Sequence, residues 1–195
     1  NTFAGGGAII DRMAHMRTNE SFMRCVMADT VDEWDGHEWA DDDVLAWTLS
    51  VAGDAAAPTD PEAAADHYAE SLALADRTQV RAALVDVLLA LDRVEDATRV
   101  LVAGPEALAL SVRKMIVGLP TDHQPDLESA IAHADQQFRA WIAEEAWAHS
   151  REMTRVYLDV LPDPPLARHL ARINLAIQGE PEDRRLFARA AVLRP

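Results

Sequence analysis

One cysteine, Cys25, and one lysine, Lys114, are all that a chain of 195 residues carries of either. A single thiol allows no intramolecular disulfide and no cysteine-based zinc site, and it leaves the redox compartment open. Cys25 lies in SFMRCVMADTV among apolar neighbours, where a buried, inert thiol is the stronger reading. No apolar run approaches the ~20 residues of a membrane span, so no membrane insertion is expected. The sequence has no convincing strand alternation, no Gly-rich phosphate loop and no GxSxG elbow, and its seven histidines are scattered without a recognised triad. Neither a catalytic residue nor a cofactor is expected. The first residue is Asn, and a natural start further upstream is expected, with residues 2–7 (TFAGGG) reading as linker.

Acid is what the chain has in excess. Eighteen Lys and Arg stand against 33 Asp and Glu, a formal charge of −15. A nucleic-acid surface needs cations to displace phosphate counterions, and this balance argues against a broad cationic face. No nucleic-acid partner is expected. Hydrophobic residues make up 49%, enough for one substantial core.

Helical periodicity fills most of the length. Val44, Trp47 and Val51 open the first clear helix behind Asp41-Asp42-Asp43, three acids suited to a helix start. A loop is expected from Gly53 to Thr59, and then Asp60-Pro61 starts a second helix by the pairing of Asp cap and Pro at the first turn. Val80, Leu84, Val87, Leu88 and Leu91 form an amphipathic stripe. A short helix from Val94 to Leu101 follows, then one over 106–117. A long helix begins at Gln124-Pro125-Asp126, another carries Met153, Val156, Tyr157 and Val160, and the last two span 166–177 and 182–193. Residues 8–34 also show helical spacing.

Two helices as close as those of LVDVLLALDRVEDATRVL (84–101) must fold back on each other, which raises the question of a period. Ala64, Ala97, Ala130 and Ala167 follow successive turns at steps of 33, 33 and 37 residues. Four residues after each stand Tyr68, Leu101, Ala134 and Ala171. A small residue at a helix crossing lets backbones approach, and its neighbour one turn on fills the groove. With Leu84, Leu88, Leu91-Asp92, Ala97 and Leu101 in their places, the stretch resembles the tetratricopeptide repeat, with Val85 where Gly is usual and Leu88 where Tyr is usual.

Residues 149–193 are similar to the C-terminal end of a bacterial family of tetratricopeptide-repeat proteins. The matching positions are Asp163-Pro164, Ala167, Asn174, Gln178, Glu180-Pro181, Asp183 and Leu186, with Leu175 in place of the usual Trp. The resemblance covers about residues 40–193. It implies an all-α fold, an α–α superhelix of antiparallel helix pairs, with no established catalytic residues. Because members often begin with an export signal, it leaves both the cytoplasm and the bacterial cell envelope open. Residues 1–39 lie outside the repeat register, and 40–195 are expected to form the repeat domain.

Other constellations have plainer readings. His149, Glu152 and Glu145 could gather on one helix face, but metal binding needs ligands from more than one element. No histidine has Glu three residues before it, as a di-iron bundle requires. Asp41-Asp42-Asp43 lacks the DxDxDG calcium loop. Glu144 and Glu145 point about 100° apart on a helix and do not face one substrate. Of the five tryptophans, Trp47 and Trp141 fall on apolar stripes, whereas Trp39 sits in a charged loop.

The function expected is therefore a non-enzymatic scaffold. In stacked repeats the first helix of each pair lines the concave face. The pattern places Gln79, Asp86, His149, Glu152 and Asp159 there, an acidic groove suited to a protein or peptide partner carrying Lys or Arg. Two alternatives stay open: a helical assembly piece of a larger regulator or enzyme, and a metal-dependent helical enzyme built on His149 and nearby acids. Partner, biological process and oligomeric state are not legible.

Overall fold

The computed structural model describes residues 41–121, 124 and 126–193. The sequence expectations for residues 1–39, including Cys25, Trp34 and Trp39, lie outside the described residues. The fold is all-α: the described residues form helices and turns, with no strand among them. They belong to two compact units that divide between Val80 and Arg81.

The first unit contains a helix pair, α1 (Asp41–Ala56) and α2 (Pro61–Leu74). The Asp60 carboxylate accepts the Ala63 N–H and Pro61 takes the first helical position, so α2 starts where its sequence demands. The two helices run antiparallel, because the Ser71 hydroxyl near the end of α2 donates to the Ala46 carbonyl near the start of α1. The loop expected from Gly53 to Thr59 is shorter than that, since α1 continues through Gly53 to Ala56 and the turn occupies 57–59. The glycine serves packing. A Cβ at position 53 would lie 2.5 Å from the Tyr68 ring, and that ring is held by its hydroxyl, which donates to Asp54 at 2.7 Å.

The second unit begins within α3 (Thr78–Ala90) and continues through α4 (Val94–Val102), α5 (Leu108–Ile116), α6 (Leu127–Ala143), a 3-10 turn (Trp147–His149), α7 (Ser150–Asp159), α8 (Pro164–Ile177) and α9 (Pro181–Val192). Asp92 closes the turn before α4 with φ of 59°, a left-handed conformation that Asp tolerates better than most residues. It stands where the repeat pattern carries Gly. Asp126 and Asp163 cap α6 and α8 by accepting the Ser129 and Leu166 N–H groups. Within the second unit consecutive helices pack on their neighbours in an α–α superhelical arrangement, and α7 touches α5, α8 and α9.

All four periodic alanines are buried, each as the fourth residue of its helix: Ala64 in α2, Ala97 in α4, Ala130 in α6 and Ala167 in α8. The positions one turn later, Tyr68, Leu101, Ala134 and Ala171, are buried as well. In the second unit Val112, Phe138, Met153, Val156, Tyr157 and Leu170 form the centre of the core. Burying a side chain of this size stabilises the fold by about 1.5–3 kcal/mol relative to leaving it exposed. The middle of α7 is buried all round: the five consecutive residues Met153 to Tyr157 are all buried, whereas Glu152 is half-buried and Asp159 exposed. That cover encloses charged groups along with apolar ones.

Candidate functional site

Helices α3, α5, α7 and α9 alternate along the chain, and a line of charges joins them. Arg113 of α5 donates from Nε and Nη2 to the two oxygens of Asp86 on α3, at 2.9 and 2.5 Å. Arg155 of α7 donates to the same two oxygens from Nη1 and Nη2, at 3.1 and 2.6 Å. Its Nη2 also reaches Glu182 of α9. The ladder therefore reads Arg113, Asp86, Arg155, Glu182 across four helices. Both arginines are buried, whereas Asp86 and Glu182 keep 21% and 28% of their side-chain surface, so the edge that meets solvent is the acidic one.

The electrostatics follow from this enclosure. Burial would push the Asp86 carboxyl up, but the charges of Arg113 and Arg155 and their hydrogen bonds outweigh it and hold the group below its ordinary value. For Arg155 burial prevails, and the guanidinium is driven below its usual range despite Asp86. Its buried Nε has no hydrogen-bond partner among the described residues. Two arginines held this close are tolerable only because Asp86 lies between them.

A second polar cluster ties α7, α8 and α9. Ser150 donates to the Asn174 side-chain oxygen, and the Asn174 amide donates to Asp183, which is fully buried. Arg151 bridges Asp183 at 2.7 and 3.0 Å and Glu180 at 2.5 Å. Asp183 also closes a reciprocal cap with Glu180 at the start of α9. Burial raises the Asp183 carboxyl, but Arg151, Asn174 and the Glu180 N–H lower it further, and the net direction is down. The residues Asn174, Glu180, Pro181 and Asp183 of the C-terminal sequence pattern are thus a structural clip, with α7 held by it through Arg151 and running parallel to α9.

The five groove residues read from sequence sit as follows. Gln79 is exposed, in the first turn of α3. Asp86 is half-buried, and both of its oxygens are engaged by arginine. His149 is exposed and its ring lies on Trp141, with centroids 4.8 Å apart. Glu152 is half-buried and forms no ion pair with a described residue. Asp159 is exposed and paired with Arg189 of α9. Asp86, Glu152 and Asp159 share one region, because Arg155 and Asp159 lie one and two turns after Glu152 on the same face of α7. Sequence reading missed Arg113 and Arg155, whose partners stand 27 and 69 residues away.

Elsewhere in the second unit an open recess of about 330 Å³ is lined by Asp135, Arg139, Tyr157, Leu161, Pro162 and Asp163. Its polar groups are already matched: Tyr157 donates to Asp135 at 2.8 Å and Arg139 donates to the other oxygen at 2.9 Å. Among the described residues no group of three or more His, Cys, Asp or Glu side chains is placed to hold a metal ion. No described helix is long and apolar enough to cross a membrane. Compared with protein-family models, curated proteins and solved structures, the chain matches none.

Proposed function

We propose that the chain is a non-enzymatic scaffold of tetratricopeptide-like helix pairs that holds a protein or peptide partner along the face shared by α3, α5, α7 and α9. The observation that supports this reading is the charge ladder with Glu152 beside it. The arginines of the ladder are sunk below the surface, and Asp86 and Glu182 form its partly exposed rim. Glu152 stands half-buried on the same face of α7 without a counter-ion among the described residues. A carboxylate already partly desolvated gains more from an incoming ammonium or guanidinium than one in open water, so the face favours a partner carrying Lys or Arg.

Binding of an array of equal-length peptides graded from Asp/Glu-rich to Lys/Arg-rich tests this reading. The wild-type chain should retain the basic peptides, and Glu152→Arg should weaken that retention by roughly tenfold, the scale of one interfacial charge pair. Asp159→Arg is a less clean probe, because it also places a second cation beside Arg189. No effect of Glu152→Arg on retention of the basic peptides, with the helical circular dichroism intact, would overturn the assignment.

A further inference from the structure

The arginines of the second unit are not treated alike. Those of α4, α5, α6 and α7 all sit in ion pairs with carboxylates. On α8 and α9 the pattern changes. Arg189 pairs with Asp159, but Arg168, Arg172, Arg184 and Arg185 form no ion pair with any described residue, and the half-buried Arg168 makes a 3.3 Å bond to the Pro164 carbonyl one turn back. Helix α8 contains no acid at all. The two acids of α9, Glu182 and Asp183, are drawn inward to Arg155 and Arg151. In a chain with nearly two acids per base, the outer surface of these two helices is left cationic. Two large apolar side chains are exposed on the same helices, Ile177 at 57% and Val192 at 79%. Arginine is enriched at protein interfaces over the rest of the surface.

The complementary surface is present in the same sequence. Between residues 41 and 80 nine acids stand against one base, Arg77, and that base is paired with Asp43. On α2 the exposed Asp66 and Glu70 lie one turn apart and form no ion pair with a described residue. Arg168 and Arg172 lie one turn apart on α8, so the two stripes share a spacing that helix-on-helix contact can match. We infer that the cationic face of α8 and α9 docks the acidic α2 face of a second copy of this chain, a head-to-tail contact between copies. A contact of this kind is heterologous and propagates unless the rotation closes a ring. It stands independently of the peptide-binding reading, which concerns another face.

Analytical ultracentrifugation of the full chain with two charge-reversed variants decides the matter. One variant carries Arg172→Glu and Arg184→Glu, the other Asp66→Arg and Glu70→Arg. At about 0.15 M salt the Debye length is about 8 Å, so local contacts outweigh the repulsion between two copies of the same net charge. The wild type should show a weight-average mass that rises with concentration and falls back at about 0.5 M salt. Each variant alone should stay at the monomer mass, because it presents like charges to itself. An equimolar mixture should associate again, since each variant restores the other's complement. Monomeric wild type throughout the concentration range, or association by a single variant, overturns the inference. Neutral substitutions, Arg172→Gln with Arg184→Gln, keep the test decisive if a reversed variant loses its helical circular dichroism; they should weaken association, and unchanged association counts against it.

Discussion

A methyl group at position 53 sets two effects against each other. Helix propensity favours alanine over glycine by about 1 kcal/mol. The new Cβ would, however, lie 2.5 Å from the Tyr68 ring, which is buried and anchored to Asp54. A ring fixed at both ends cannot move aside cheaply, and overpacking costs typically 1–3 kcal/mol. Gly53→Ala is therefore expected to destabilise the protein by about 1 kcal/mol in urea unfolding, with a gain in stability as the contrary result. The buried carboxylates make a second prediction at this scale. Asp86 and Asp183 both have folded-state pKa values below the ordinary 3.8. The unfolded chain then binds more protons, so their contribution is present above the unfolded value and is lost as pH falls through the folded one. The unfolding midpoint should drop steeply below about pH 4, and Asp183→Asn should flatten that slope. An unchanged slope in the variant would show that Asp183 does not carry the effect.

At the scale of the element, what could be read from sequence was local. Asp60-Pro61, Asp126 and Asp163-Pro164 announce three helix starts, and their carboxylates accept the expected backbone N–H groups. Ala64, Ala97, Ala130 and Ala167 were legible because spacing alone puts a small residue at the fourth position of each helix. Ala97→Leu adds bulk at a position with no exposed surface, and it is expected to cost about 1–3 kcal/mol, read as a lowered midpoint in thermal unfolding. A variant as stable as the parent would mean that position 97 does not lie at a tight crossing. The course of α1 through Gly53 was not legible, since a glycine required by a ring fifteen positions along the chain looks the same as one that breaks a helix. The enclosure of Arg113 and Arg155 was hidden for a related reason. Periodicity shows which face of a helix is apolar, and the middle of α7 is buried all round.

Taken as a whole, the chain distributes its charge unevenly: residues 1–80 hold sixteen of the 33 acids but four of the eighteen bases. The candidate groove was legible as a set of acids, of which Asp86 and Asp159 are engaged by arginine and Glu152 is not. No spacing rule could foresee that neutralisation, because it depends on the order in which α3, α5, α7 and α9 stack. The ladder from Arg113 to Glu182 is the physical statement of that order. Removing one partner of a buried pair leaves an uncompensated charge, a cost of about 3–5 kcal/mol. A double-mutant cycle on Asp86→Asn and Arg155→Met, followed by urea unfolding, tests the stacking most directly. The two residues are 69 positions apart in sequence and meet only if the stacking brings the Arg155 side chain of α7 to Asp86 of α3. The double variant should be less destabilised than the sum of the single variants, with a coupling of about 1–3 kcal/mol; additivity within about 0.5 kcal/mol would contradict the account.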